Sequence, residues 1–213
     1  VTANITARAL TVTAATDSKV SSGNTNSTGT PTVTSGVLQG NDTISAISQT
    51  YDNKNIGSGK TLTASGVVTD GNGGNDYTLT LATNTTGEIT AKEITLTGVT
   101  ASNKVYDDAL TATLSTAGHA LVGVVGVEDV TLDASGKSGL FATQHVGVAK
   151  AVTVTGLALA GVDAGNYSIT QPTDVTANIT ARALTVTAAT DNKVYDAATT
   201  SSGTPTVTSG VLQ

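Results

Sequence analysis

The residues best suited to chemistry in this sequence are a tyrosine and an aspartate that stand side by side and recur. Tyr106 and Asp107 belong to the segment NKVYDD, and Tyr195 and Asp196 belong to the segment NKVYDA. A phenol hydroxyl beside a carboxylate could contact a ligand or transfer a proton. The same pair could close a turn after a strand, because a short carboxylate accepts backbone N–H bonds there.

A second candidate is an oxygen-rich loop with the sequence DGNGGND, which contains Asp70, Asn72, Asn75 and Asp76. Carboxylates and amides on a tight glycine-rich turn could converge on a calcium ion. A calcium loop normally also has a distant bidentate acid, and the corresponding segment of the second repeat, GVDAGN, is poorer in oxygen ligands. We therefore expect a hairpin turn without a cofactor, with calcium binding as the alternative.

Other site chemistry has little support. The chain has no cysteine, which excludes disulfides, thiolate metal sites and thiol nucleophiles. The two histidines have no acidic partners at zinc spacing. Lys60 and Lys150 recur at one position and Asn75 and Asn166 at another, as a Lys–Asn isopeptide crosslink would need, but no acid recurs with them. Nucleophile elbows and phosphate-binding loops are also missing, so we expect a protein that is not an enzyme.

Composition excludes further classes of protein. The net charge is −6, from 16 acidic and 10 basic residues, and the basic residues are scattered, so we expect no nucleic-acid partner. The longest apolar stretch, residues 120–127, is far shorter than the roughly 20 residues that span a bilayer, so we expect no membrane insertion. Aromatic residues make up 3% of the chain, so any core must be built from Val, Leu, Ile and Ala.

Internal repetition is the strongest feature of the sequence. Residues 1–17 read VTANITARALTVTAATD, and residues 175–191 read the same. Residues 29–39 likewise return as 203–213, and a weaker copy, ITAKEITLT, begins at Ile89. The spacing of these copies indicates modules of about 87 residues that alternate between two sequence types.

The repeats divide the chain into modules joined without linkers. Arg8, Lys92 and Arg182 each stand at the start of a module, where we expect them to contribute to the junction with the preceding one. Both ends of the sequence fall inside a repeat, so we expect a window from a longer tandem array. The expected division is residues 1–7 as the last strand of a preceding module, 8–91 as module 1, 92–181 as module 2 and 182–213 as the start of a third module.

The hydrophobic periodicity is that of β-strands. Leu10 and Val12 alternate with threonines, and Val152 and Val154 do so in the second repeat. Period-two alternation of β-branched residues predicts half-buried strands. We therefore expect an all-β fold of tandem antiparallel β-sandwich modules of immunoglobulin-like character in an elongated array. A short helical turn at residues 117–125 would instead favour β-grasp-like modules.

Several motifs occur twice in the same order: KVSS or KVYD, then NIGSGK or HVGVAK, then GNDYTLT or GNYSIT, then ITA(K/R). In these motifs the chain resembles the YDG/MBG-type repeats of large bacterial surface adhesins, which include filamentous-haemagglutinin-like exoproteins. The resemblance implies an extracellular, all-β stalk module at a bacterial cell surface, without catalytic residues. The family's glycine after Tyr-Asp is Asp108 in one copy and Ala197 in another, which departs from the motif.

The first module favours a structural interpretation of the Tyr-Asp pair. There the motif reads KVSS at residues 19–22, so both residues are lost while the flanking features remain. We expect Tyr106 to end a strand with its ring closing one end of the core, and Asp107 to accept N–H bonds in the following turn. Tyr77 and Tyr167, in the GN(D)Y strands, are also expected to be structural.

The expected function is a non-catalytic spacer that projects a binding tip from the cell surface. Modules joined without a linker adopt few relative angles, and an array of them is stabilised by nearest-neighbour contacts. Its partners are then the neighbouring modules of the same chain. One alternative is a module that binds a glycan or a host or matrix protein weakly and gains by multivalency. The other is a filament in which copies of the chain are joined by donated edge strands.

Overall fold

The computed structural model describes residues 2–212, and strands form nearly all of its regular structure. Only a short 3-10 helix, Ala164–Asn166, interrupts the strands of the described residues. The chain is therefore all-β, as the period-two alternation predicts. Module 1 contains β1 (Arg8–Thr13), β2 (Ser18–Val20), β3 (Thr32–Ser35), β4 (Thr43–Tyr51), β5 (Gly57–Thr69), β6 (Tyr77–Ala82) and β7 (Asn84–Thr90).

Module 2 has more and shorter strands, and the start of the third module has two. The strands of module 2 are β8 (Lys92–Thr97), β9 (Thr100–Ala101), β10 (Lys104–Val105), β11 (Thr111–Ala112), β12 (Leu114–Ser115), β13 (Ala120–Val122), β14 (Thr131–Asp133), β15 (Ser138–Phe141), β16 (Gly147–Thr155), β17 (Ala158–Ala160), β18 (Tyr167–Ile169) and β19 (Thr176–Thr180). The third module contributes β20 (Thr185–Thr187) and β21 (Thr206–Ser209).

Module 1 is a β-sandwich. One sheet has the strand order β3-β1-β6 and the other β2-β7-β5-β4. Val12 of the first sheet lies in one buried cluster with Leu62, Ala64 and Ile89 of the second, so the apolar faces of the two sheets pack together. The threonines between these residues lie on the opposite face of each strand, so every second residue of a strand contributes to the core.

Module 2 repeats the strand order of module 1. The order β13-β8-β18 corresponds to β3-β1-β6, and β10-β19-β16-β15 corresponds to β2-β7-β5-β4. The sheets are mixed rather than purely antiparallel: β1 pairs in parallel with β6 and β2 with β7, as β8 does with β18 and β10 with β19. Long excursions separate the strands of each parallel pair along the chain, and parallel pairing requires such crossovers.

The segment 117–125 is not helical. It contains strand β13 and turns, and Gly123, with φ of 107°, adopts a backbone conformation that no right-handed helix contains. Gly98, after β8, has φ of 76° and lies so close to the carbonyl oxygen of Gly118 that a Cβ would be 2.0 Å from it. The described residues thus contain no helix of the kind that a β-grasp module requires.

Identical sequence adopts different structure at the two ends of the chain. Residues 175–181 include β19, which pairs with β10 and β16 and buries Val175, Ala177 and Ile179. Residues 2–7 carry the same letters but form no strand, and Ile5 is exposed. Residues 2–7, expected to belong to a strand, therefore lack pairing partners in the described chain; Val1 and Gln213 lie outside the described residues.

The chain divides into two compact units that cut across the sequence modules. Unit 1 comprises Val1–Thr95, Leu121–Leu132 and Leu159–Thr170, and unit 2 comprises Leu96–Ala120, Asp133–Ala158 and Gln171–Gln213. Unit 1 therefore contains module 1 together with three segments of module 2, residues 92–95, 121–132 and 159–170. Among the described residues, no helix is long and apolar enough to cross a membrane.

Candidate functional site

The KVYD motif of module 2 is a turn held by its lysine. Lys104 Nζ donates to Asp107 Oδ1 at 2.7 Å and to the carbonyl oxygens of Ala109 and Thr111 at 2.6 and 3.1 Å. Asp107 Oδ1 also accepts the backbone N–H of Ala109 at 3.1 Å, the bond expected from the sequence. The hydrogen bond from Lys104 holds the pKa of Asp107 below its usual value. These contacts use the carboxylate to close a turn.

Module 1 builds the same turn without Tyr-Asp. Lys19 Nζ donates to the carbonyl oxygens of Asn24 and Asn26 at 2.7 and 2.8 Å. Ser22 stands at the position of Asp107 and accepts from Lys19 Nζ at 3.1 Å. Asn24 Oδ1, two positions further along, accepts the backbone N–H of Asn26 at 3.0 Å, a bond of the same kind as that from Ala109 to Asp107. The lysine also keeps an aromatic partner: Lys19 lies 5.2 Å from the ring centre of Tyr51, and in module 2 Lys104 lies 5.4 Å from that of Phe141.

The motif tyrosines lie at the surface rather than in the core. Tyr106 is half-buried, and its hydroxyl donates to Asp108 Oδ1 at 3.0 Å. Tyr195 is exposed, while Asp196 accepts the N–H of Ala198 at 3.0 Å as Asp107 accepts that of Ala109. We expected the ring of Tyr106 to close one end of the core, but this ring lies outside the set of buried core residues.

The tyrosines of the GN(D)Y strands are the anchored ones. Tyr77 and Tyr167 are buried, and each hydroxyl accepts one backbone N–H, from Gln39 at 2.8 Å and from Val125 at 3.0 Å. The hydroxyl of Tyr77 donates to Asp42, which raises the pKa of Tyr77. Burial raises the pKa of Tyr167, whose hydroxyl donates in the same way to Glu128. The two contact sets show that Glu128 corresponds to Asp42.

The oxygen-rich loop of module 1 is organised by Asp70. Its Oδ1 accepts N–H bonds from Asn72 and Gly74, both at 2.8 Å, and its Oδ2 accepts that of Asp76 at 3.0 Å. These bonds, with that from Gly74 foremost, lower the pKa of Asp70. Asn75 donates its side-chain N–H to the carbonyl of Asn72. The contacts are those of a hairpin turn, and no cluster of three or more acidic or histidine ligands occurs among the described residues. Calcium binding stays a prediction.

The lysines considered for an isopeptide crosslink have other partners. Buried Lys60 donates to Asn53 Oδ1 at 2.6 Å and lies 3.3 Å from Asp52. Lys150 donates to Thr143 Oγ1 at 2.6 Å. The two lysines therefore donate to side chains other than Asn75 and Asn166, the partners that an isopeptide crosslink would require.

Of the three basic residues at the module starts, Arg182 makes a junction contact. Its Nε donates to the carbonyl oxygen of Tyr106 at 2.9 Å, within unit 2. Arg8 is exposed, and its backbone N–H donates to the carbonyl of Asp76. Lys92 is half-buried, and its side chain makes no hydrogen bond within the part of the chain that the structure describes. The junction role expected of these residues thus has a described contact in one case.

An ion cluster that the sequence did not reveal joins module 1 to module 2 within unit 1. Lys54, in the loop between β4 and β5, donates to Glu128 Oε1 at 2.6 Å and to Asp163 Oδ1 at 2.7 Å. The side chain of Glu128 is only 8% exposed, and Asp163 also accepts the N–H of Asp129. The hydrogen bond from Lys54 lowers the pKa of Asp163, and the two carboxylates raise that of Lys54.

A buried amide completes the same junction. Asn166 is 4% exposed, and its Oδ1 accepts the backbone N–H of Ile56 at 3.0 Å. Its Nδ2 donates to Asn55 Oδ1 at 3.2 Å. These contacts join residues about 110 positions apart, so no local pattern could predict them. The available signal was the change from Lys54-Asn55 in module 1 to Gln144-His145 in module 2.

Comparison with known families agrees with the motif order. A family model described as the YDG domain matches residues 6–86 and again residues 90–175, which together exceed half of the chain. No curated protein and no solved structure shows a significant match.

Proposed function

This chain belongs to the YDG domain family, in two tandem copies, and we propose that it is a non-catalytic spacer segment of an extracellular bacterial adhesin. In this role the modules hold a binding tip away from the cell surface. The observation that carries the proposal is the junction cluster of Lys54 with Glu128 and Asp163. It ties module 1 to module 2 through partly buried, charge-assisted bonds.

The motif contacts support a structural role for the repeated residues. Asp107 is engaged by Lys104 and by a backbone N–H, and in module 1 an asparagine performs the same function. A turn that functions with either an acid or an amide does not depend on proton transfer. We therefore propose that the recurrent residues maintain module geometry and carry out no reaction.

The absence of a linker supports the mechanical part of the proposal. The last strand of module 1, β7, ends at Thr90, and β8 of module 2 begins at Lys92. One residue between strands leaves little freedom for a hinge, and the junction contacts reduce it further. An array built this way should resist bending at each junction.

Small-angle X-ray scattering of chains with two, four and six modules tests this function. We expect the maximum dimension to increase linearly with module number and to be the same with and without calcium. Growth with about the square root of module number, as in a flexible chain, would contradict the spacer proposal. Stiffening only with calcium would assign a role to the Asp70 loop, and a scattering mass above the monomer would favour the filament.

A further inference from the structure

Lys54 and Gly23 of module 1 face acidic residues of module 2. At the two corresponding positions, module 2 has other residues. Lys54 corresponds to Gln144, three residues before the glycine of NIGSGK and HVGVAK. Gly23 corresponds to Asp108, four residues after the motif lysine in both modules. We call the module 1 sequence type 1, which module 3 begins to repeat outside its KVYD segment, and the module 2 sequence type 2. Ala197 of module 3, which is also uncharged, stands at the position of Gly23. The two types thus present different charges on the surface that precedes a junction.

Gly23 lies against the acidic surface of module 2. It has φ of 72°, and a Cβ built on it would lie 3.1 Å from Val125 Cγ1 and 3.3 Å from Glu128 Oε1. Asp108 adopts the same left-handed conformation, with φ of 61°. An aspartate at position 23 would therefore fit the backbone but bring a second carboxylate to Glu128. Like charges at that separation repel, and a desolvated interface strengthens the repulsion.

From these contacts we propose that the junction sets the order of the modules. The surface formed by Gly23 and residues 53–56 of a type 1 module accepts the surface formed by Glu128, Asp163 and Asn166 of a type 2 module. It does so because Lys54 neutralises the two carboxylates and Gly23 leaves room for Glu128. A type 2 module followed by another type 2 module would instead place Gln144 and Asp108 against those carboxylates. The proposal concerns the pairing of modules and does not depend on a spacer role.

A type 1 module followed by another type 1 module is also mismatched. Tyr77 and Tyr167 pair with the first residue of their modules, Arg8 and Lys92, so positions counted back from the two tyrosines correspond. Asp163 lies four residues before Tyr167, and Gly73 lies four residues before Tyr77. A following type 1 module would therefore place a glycine where Asp163 stands, and Lys54 would lose one of its two carboxylate partners.

The next junction in the chain has a different character. Within unit 2, Val146, the counterpart of Ile56, lines a cleft of about 290 Å³ with Leu184, Val211 and Leu212 of module 3. Arg182 of module 3 lines the same cleft and donates to the carbonyl oxygen of Tyr106. Type 2 thus presents Gln144 and Val146 at the positions where type 1 presents Lys54 and Ile56.

Hydrogen exchange of the Ile56 amide in the full chain tests the proposal. This N–H donates to Asn166 Oδ1 of module 2, so protection of the Ile56 amide reports the junction. Protection of the amide of buried Leu62 reports the fold of module 1. Lys54→Gln and Gly23→Asp each give module 1 the residue of module 2. We expect each to lower protection at Ile56 at least about tenfold and leave Leu62 unchanged, since hydrogen bonds to charged groups are worth more than neutral ones.

The reverse substitutions are matched controls. Gln144→Lys and Asp108→Gly give module 2 the residues of module 1 and should leave protection at Ile56 as in the wild type. Lys54→Arg keeps the positive charge and should preserve most of the protection at Ile56. Unchanged protection at Ile56 in both Lys54→Gln and Gly23→Asp would overturn the proposal. An equal loss of protection at Ile56 in the two controls would also overturn the proposal. A parallel loss of protection at Leu62 would overturn it too, because the effect would then arise from the folding of module 1.

Discussion

At the scale of single residues, the lysine is the constant part of the KVYD turn. Lys19, Lys104 and Lys193 each donate to carbonyl oxygens of the turn that follows. The side-chain oxygen that closes the turn comes from Asp107, three residues after the lysine, in module 2 and from Asn24, five residues after it, in module 1; each accepts the backbone N–H two residues further along. Sequence reasoning predicted the role of Asp107 from general turn chemistry. It missed the lysine because a long flexible side chain gives no indication of which carbonyls it reaches.

Tyr51 provides a pH-dependent test at the residue scale. Burial, followed by the charge of Asp17, raises the pKa of Tyr51 to about 12 from 10.0. The folded state thus favours the neutral phenol, and this stabilisation is present below pH 10 and lost as pH rises towards 12. We expect Tyr51→Phe, which introduces the residue found at Phe141, to lose less stability between pH 9 and 11.5 than the wild type. The measurement is the denaturation midpoint at each pH.

The other tyrosines with raised pKa, Tyr77, Tyr106 and Tyr167, are common to both proteins, so the difference between the two titrations isolates Tyr51. Parallel loss of stability in the wild type and in Tyr51→Phe across this range would show that ionisation of Tyr51 does not limit the alkaline stability of module 1.

At the scale of elements, the strands follow from the sequence but their pairing does not. Alternation at Leu10 and Val12 predicts β1 and its buried face. The same alternation does not tell whether β1 runs parallel or antiparallel to β6, because direction depends on the path of the chain through the other sheet. Residues 2–7 and 176–181 have the same sequence, but only the second segment forms a strand, because β10 and β16 pair with it. Local sequence alone therefore does not determine where a strand forms.

The turn after β10 contains a residue in a strained conformation, which gives a test at the element scale. Asp108 has φ of 61°, and the YDG motif implies glycine at this position. Asp108→Gly and Asp108→Ala both remove the bond from Tyr106 and differ only in their tolerance of positive φ. We expect the glycine variant to be more stable by about 1 kcal/mol, measured by urea denaturation of the full chain. An alanine variant of equal or higher stability would show that this turn relaxes to another conformation.

At the scale of the whole molecule, the repeats predicted the modules and their absence of linkers, while the junction contacts needed coordinates. The sequence singled out Arg8, Lys92 and Arg182 because they stand at module starts. The ion cluster instead uses Lys54, from a loop in the middle of a module, and its acids lie 74 and 109 positions away. Sequence alignment of the modules shows that Lys54 differs from Gln144, but nothing in it shows what the residue contacts.

The central claim is that neighbouring modules are held in one arrangement, and distance measurement between spin labels tests it most directly. The chain has no cysteine, so paired substitutions carry labels at defined sites. Thr63→Cys with Ser168→Cys joins exposed positions of modules 1 and 2, and Thr63→Cys with Thr78→Cys is the matched pair inside module 1. We predict that the two distance distributions by double electron–electron resonance are equally narrow. A distribution between modules several times broader than that within module 1 would contradict the account.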